Sequence, residues 1–323
     1  MSRLFVNQLN DGQGVDEVYL ASEKQLRPNR QGNLYLQVRL SDKTGSLTAM
    51  LWNANQKQFD SFQNGDFVRV LGNAQLYNGG MQIIAREINS VTDKAIDESD
   101  FVTISQASIE QLAGRMAEML REIRNVHLRN LAECFLADED FMEKFRKAPA
   151  GIKNHHAYHG GLIEHVVSLM EVARFIAGRY PRLNGDLLLM GAMLHDVGKI
   201  DELSYERDLG YEDSGQLLGH MVMGVEIVQQ KIEEAARLSG EPFPEPLAVQ
   251  LKHLILSHHG QLEFGSPVLP MTLEAMALHF IDNLDAKMHG IAQIIDEDAN
   301  PGSPWTTYQP ALSRKIFKGL RPS

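Results

Sequence analysis

A single cysteine, Cys134, is the whole thiol inventory of these 323 residues. No intramolecular disulfide can form, and a reducing, cytoplasmic setting is expected. Long hydrophobic runs are missing too: nothing approaches the roughly 18 consecutive apolar residues of a membrane helix. The opening MSRLFVNQLN lacks an apolar stretch of the secretory kind, so an unprocessed chain with no membrane partner is expected. There is no internal repeat and no low-complexity tract. An excess of positive charge is also lacking: 31 Lys and Arg stand against 42 Asp and Glu, a formal net charge of −11. A uniformly basic nucleic-acid binder is thereby excluded, although a local groove or bound cations could still receive phosphate. Apolar residues at 43% and charged residues at 23% are ordinary for globular material, and the length allows two domains.

The charge is unevenly divided. Residues 1–95 hold ten basic and nine acidic side chains, leaving 21 against 33 in the remainder. Histidine is just as uneven, since none of the twelve precedes His127.

Residues 17–92 read as short strands. In Leu34–Leu40 the even positions are apolar and the odd ones amphipathic or polar, the period of two of a half-buried strand. That register turns Tyr35, Gln37 and Arg39 outward. A turn at Ser41–Ser46 precedes Leu47–Trp52, and Trp52 is expected to pack inward. Phe67–Leu71, Ala74–Tyr77 and Met81–Ala85 complete the set, with Asn78-Gly79-Gly80 as the hairpin turn between the last two. Five short strands in so few residues predict a small closed barrel.

Val91–Asp100 reads as a linker, and beyond it the apolar period becomes helical. Ser108 with Gln111 is a candidate capping box ahead of Leu112, Met116 and Leu120. Further helices are expected over about 127–147, 160–180, 186–197, 217–238, 246–258 and 272–292, with a break at Gly240–Pro246. The expected division is 1–95 for the barrel, 96–150 for a helical lead-in, 151–300 for the helical domain and 301–323 for a tail.

The placement of ionisable groups carries the chemistry. His165 lies within an otherwise apolar helix, His195-Asp196 closes the apolar run Leu187–Leu194, His258-His259 ends another helix, and Asp282 sits mid-helix in His279–Asn283. Singly, each has a bland reading as a core histidine, a helix end or a solvated carboxylate. Burying them together is costly unless something compensates, and a divalent cation compensates several at once. Imidazole and carboxylate suit Mn, Fe, Co, Ni or Zn, with Mg also compatible. Lys199 lies four residues past His195 and, if the helix persists, projects from the same face toward a phosphate held on the metal.

In the order His165, His195-Asp196, Asp282, with the central motif His-Asp-x-Gly-Lys, residues 150–295 resemble the HD superfamily of metal-dependent phosphohydrolases. That resemblance implies a first metal on His165, His195, Asp196 and Asp282. His220 with His258 or His259 matches the binuclear branch, in which Asp196 bridges two ions and Lys199 adds a positive contact. His155, His156 and His159, just ahead of the first ligand, are candidates to bind substrate or protonate its leaving oxygen, with helix capping as the alternative. Residues 17–92 are similar to an OB-fold of the tRNA-anticodon-binding type, whose outward face would meet nucleic acid through Tyr35, Gln37, Arg39, Arg69 and Tyr77. A protein-interaction or dimerisation role is the alternative for this domain.

The expected fold class is thus multidomain, a small all-β OB-fold barrel followed by an all-α HD-type helical domain. The whole chain resembles the YhaM-type 3′→5′ exoribonucleases. What this implies is a metal-dependent 3′→5′ exoribonuclease, with Mn²⁺ expected, acting on single-stranded RNA and perhaps single-stranded DNA; a homo-oligomer is allowed. The alternatives are an HD phosphohydrolase for small or cyclic nucleotides and a non-catalytic RNA-binding protein with a structural metal.

Overall fold

The computed structural model describes residues 3–77, 80–91, 96–97, 100–101, 104–152, 156, 158–205, 209–296, 298 and 302–319. The chain forms two compact units, one holding the N-terminal barrel together with the C-terminal segment from Ile291, the other holding Ile104–Tyr205 and Leu209–Gly290.

The barrel comprises β1 (Gly14–Pro28), β2 (Leu34–Asp42), β3 (Gly45–Trp52), a single helical turn α1 (Gln56–Phe59), β4 (Phe67–Tyr77) and β5 (Gly80–Ser90). It closes in the order β1-β2-β3-β5-β4, with β3 and β5 the parallel pair. Alternate residues Leu36, Val38 and Leu40 of β2 point into a core shared with Tyr19, Val70 and Ile83. There are five strands, as expected, but cut differently. β1 escaped the period-two pattern because its pairing with β2 slips between Ser22 and Gln25, where Glu23 has a positive φ of 49°. Phe67–Leu71 and Ala74–Tyr77 form one strand, because the pairing with β5 merely shifts at Leu71/Gly72. A Cβ on Gly72 would strike the Ile84 carbonyl, so the glycine marks a close approach of two backbones rather than a turn. The expected turn residues Asn78 and Gly79 lie outside the described set.

The helical unit contains α2 (Gln106–Arg121), α3 (Val126–Leu136), α4 (Glu139–Lys147), α5 (Gly161–Arg179), α6 (Gly185–Leu194) and α7 (Lys199–Glu202). A two-stranded pair, β6 (Leu203–Ser204) and β7 (Gly210–Tyr211), precedes α8 (Asp213–Leu218), α9 (His220–Ser239), α10 (Glu245–Ser257) and α11 (Leu273–Asp296). Ser105, not Ser108, caps α2, accepting from the Ser108 amide at 3.1 Å. The single helix expected over 127–147 is two, divided where Asp138 caps α4. Gly240, with φ of 72°, ends α9 at the first residue of the expected break. No helix among the described residues is long and apolar enough to cross a membrane.

α6 positions the site. Its residues from Leu187 to Leu194 are all buried, so the helix is apolar all round and runs through the core. Each leucine contributes about 1.5–3 kcal/mol by burial, and Leu188→Ala would cost about 2–5 kcal/mol. The consequence is that His195 and Asp196, at its C-terminal end, emerge inside the protein rather than at its surface.

Candidate metal centre and nucleic-acid face

Residues scattered over more than a hundred positions converge at the end of α6. His165 comes from the second turn of α5, His195 caps α6, Asp196 follows it, His220 opens α9, His258 caps α10, and Asp282 lies on α11. The Nε2 atoms of His165 and His195 face each other at 3.3 Å. Asp282 Oδ1 is 3.3 Å from His165 Nε2, and Asp196 Oδ2 is 3.3 Å from His195 Nε2. On the other side Asp196 Oδ1 stands 3.5 Å from His220 Nε2 and 3.6 Å from His258 Nε2. The donor atoms of His220, His258 and His259 all lie within 4.8 Å of one another. The two oxygens of one carboxylate therefore look toward two separate groups of imidazoles.

These separations suit shared ions, because donors about 2.1 Å from one cation stand about 3–3.5 Å apart. Tautomers support the same reading. Each ring has its Nδ1 committed: His195 to the Ala192 carbonyl at 2.9 Å, His258 to Ile255 at 2.6 Å, His259 to Phe264 at 2.8 Å, His165 to Asp285 at 2.7 Å and His220 to Glu202 at 3.1 Å. Nδ1 donates to each oxygen, so the Nε2 lone pairs turn inward. Lone pairs facing at 3.3 Å repel unless positive charge lies between them. Asp196 Oδ1 and His220 Nε2 are buried with no hydrogen-bond partner among the described residues, which is costly unless a cation takes both.

The electrostatics agree. Burial opposes the charge on Asp196, but Lys199 and His195 outweigh it and hold the carboxyl well below the usual range. Burial likewise pushes His258 and His259 down, keeping them neutral as ligands must be. Burial would lower His165 also; hydrogen bonds to Asp282 and Asp285 reverse this and raise it to about 9. A cation entering there displaces a proton.

Lys199, expected to reach substrate, donates instead to Asp196 Oδ2 at 2.7 Å and to the Ala150 carbonyl at 2.6 Å. α6 stops at Leu194, and α7 starts afresh at Lys199. Between them lies Gly198, where a Cβ would collide with the His220 carbonyl. The glycine of His-Asp-x-Gly-Lys thus lets the start of α9 approach Asp196. His156, expected at the substrate, is buried behind His165: its Nδ1 is 2.9 Å from Glu164 Oε2 and its Nε2 3.4 Å from Asp285 Oδ2. His159 is exposed beside Tyr205, and His155 lies outside the described residues.

Sequence reasoning missed Asp285 and Glu202, which orient His165 and His220. The available signal was spacing: Asp285 follows Asp282 by one helical turn, so both present the same face.

On the barrel, Tyr35, Gln37 and Arg39 stand outward in β2, as expected. Arg39 donates to Ser46 Oγ at 2.6 Å, and Arg69 is held by Asp16 through two bonds of 2.7 and 2.9 Å, so neither is free of partners. Tyr77 is exposed. Trp52 corrects the expectation of an inward ring, being 47% exposed. The parity that buries Leu47, Ala49 and Leu51 turns Trp52 out, where it pairs across the strands with Tyr35 at 5.2 Å between ring centroids.

Comparison with known proteins agrees with both units. Residues 162–287 match the HD domain family, and residues 20–91 match the OB-fold nucleic acid binding domain family. The chain is 36% identical to the protein named 3′-5′ exoribonuclease YhaM of Geobacillus sp. (strain WCH70), over 96% of this chain and 93% of that one. It is 35% identical to the protein of the same name in Bacillus subtilis (strain 168), over 95% of each chain. A Listeria monocytogenes serotype 4b (strain CLIP80459) protein, also so named, is 32% identical over 90% of each. With both units and nearly the full length matched, the chain belongs to the YhaM family, an OB-fold barrel followed by a divalent-metal-binding HD domain.

Proposed function

We propose that the protein is a metal-dependent 3′→5′ exoribonuclease that hydrolyses the phosphodiester bonds of single-stranded RNA in the cytoplasm, with manganese as its ion. The observation that carries this reading is Asp196, whose two oxygens face two groups of inward-turned imidazoles. Direction and substrate come from relatives whose printed name is 3′-5′ exoribonuclease. His165, His195, Asp196 and Asp282 would hold one ion, and Asp196, His220, His258 and His259 a second. The donors are nitrogen and oxygen without thiolate, which accommodates Mn²⁺. When bound, the ions supply Lewis acidity that polarises a phosphoryl group and acidifies water near neutral pH.

The chain's own residues do the rest. Lys199 keeps Asp196 ionised and fixed, and Glu202 and Asp285 fix the rings of His220 and His165. Exposed Trp52 and half-buried Tyr35 offer outward rings on which bases can stack, and Gln37 and Arg39 lie in the same outward register. The barrel retains the strand; the helical unit hydrolyses its terminal linkage.

Single-stranded RNA labelled at its 5′ end, incubated with the protein and Mn²⁺, should shorten stepwise into a ladder and release mononucleotides. Absence of cleavage under every divalent ion tried would overturn the reading. Turnover of small or cyclic nucleotides with oligonucleotides untouched would replace it by a nucleotide phosphohydrolase.

A further inference from the structure

The segment 301–323 reads only as a tail, its sequence giving no pattern. It folds back on itself instead. The Thr306 amide donates to the Ile316 carbonyl at 2.9 Å, Gln309 to Arg314 at 2.9 Å, and Lys318 to Pro304 at 2.8 Å. A buried carboxylate pins this ribbon: Asp298 accepts from the Thr307 amide at 3.0 Å and from the Lys318 ammonium at 2.7 Å. Such an ion pair, shielded from water, resists screening far better than a surface pair. The ribbon is therefore shaped, and it belongs to the same compact unit as the barrel.

Its surface has an unusual composition. Trp305 and Phe317 pair across the ribbon with centroids 4.9 Å apart and planes at 54°, yet each is 48% exposed. Tyr308 is 57% exposed. Arg314 and Lys315 are exposed between these rings in sequence, and residues 302–319 contain no Asp or Glu in a chain whose net charge is −11. Three wet rings, two of them paired, flanked by cations, are the combination of stacking platforms and phosphate contacts that a single strand needs. A protein partner would have to desolvate the cations or answer them with acid, whereas a single strand brings π-faces and phosphates together.

We propose that the ribbon 304–318 is a second binding surface for single-stranded RNA, with Trp305, Tyr308 and Phe317 stacking on bases and Arg314 and Lys315 meeting phosphates. The proposal rests on the reading of RNA as substrate and adds a contact outside both the barrel face and the metal centre.

The test is anisotropy of a fluorescein-labelled single-stranded RNA on the full chain, in EDTA to prevent hydrolysis, across a salt series. Tyr308→Ala should weaken binding about 5- to 100-fold, the loss of one stacked base. The double substitution Arg314→Gln with Lys315→Gln should flatten the plot of log affinity against log salt by about 1.4, two phosphate contacts on a single strand. Trp305→Ala should lose the most, but it can loosen the ribbon, so the two milder variants decide, each checked for an unchanged melting temperature. Unchanged affinity and unchanged slope in both would overturn the proposal. If both fall as stated while the parent protein fails to cleave RNA, the ribbon stands and the nuclease reading is what fails.

Discussion

Asp285 takes the Nδ1–H of His165 at 2.7 Å, one helical turn from Asp282, whose Oδ1 faces Nε2 of the same ring at 3.3 Å. One imidazole is thus gripped by two carboxylates of a single helix, and a third bond, from Ser168 Oγ to Asp285 Oδ1 at 2.6 Å, fixes the outer one. Asp285→Asn keeps the shape but removes the acceptor's charge and lets an amide compete for Nδ1. Metal affinity should fall about 10- to 100-fold, the usual cost of losing such an orienting partner. Titration of the metal-stripped variant with Mn²⁺ measures this, and an affinity equal to the parent's would show that helix packing alone sets the ring.

That relationship also marks the limit of what could be read from the sequence. His165, His195, Asp196 and Asp282 were legible because an ionisable side chain inside an apolar run has few reasons to be there. Glu202 was not, because its sequence surroundings look like those of a solvated carboxylate and only folding brings it against His220; Asp285 was marked only by its one-turn spacing from Asp282. The barrel shows the same division. Regular alternation exposed β2 and β3, while the slip that bends β1 erased the period that would have revealed it. Trp52, expected inward, is turned outward by the parity of its own strand.

Removing the ions should weaken the fold as well as any activity. Asp196, Asp282 and Asp285 crowd the same buried region, and ligand bound only by the folded chain stabilises it by about 4 kcal/mol at a thousandfold excess over Kd. EDTA should lower the melting temperature, and Mn²⁺ should restore it. Asp196→Ala, lacking the carboxylate common to both groups, should lose bound metal and RNA hydrolysis and respond little to EDTA. Full metal content in purified Asp196→Ala, measured by elemental analysis, would show that this carboxylate is not a ligand.

The barrel face predicts a separation of binding from chemistry. Tyr35→Ala and Trp52→Ala each remove one half of an outward cross-strand ring pair, and each should weaken single-stranded RNA binding about 5- to 100-fold. Hydrolysis of a minimal phosphodiester such as bis(p-nitrophenyl) phosphate should change little, since neither ring belongs to the helical unit. Equal losses in the two assays would assign the rings to folding.

Stability of the helical unit should carry an acid limb set by Asp138. Burial raises this carboxyl, but the Lys231 ammonium at 2.8 Å and the capped Phe141 amide at 2.9 Å outweigh it and hold it below its ordinary value. A carboxyl depressed in the folded state contributes its full stabilisation above the unfolded value and loses it as the pH falls through the folded one. Asparagine caps a helix nearly as well as aspartate, so Asp138→Asn removes the charge and keeps the cap. At neutral pH the variant should melt about 1–2 °C lower, the shift of about 0.5 kcal/mol that a solvent-screened ion pair makes in a unit of this size. As acid protonates the parent's carboxylate, the two melting curves should converge below pH 3.8, the ordinary value for this group. A difference that persists undiminished in acid would mean that the contact with Lys231 stabilises through packing of its alkyl stem and not through charge.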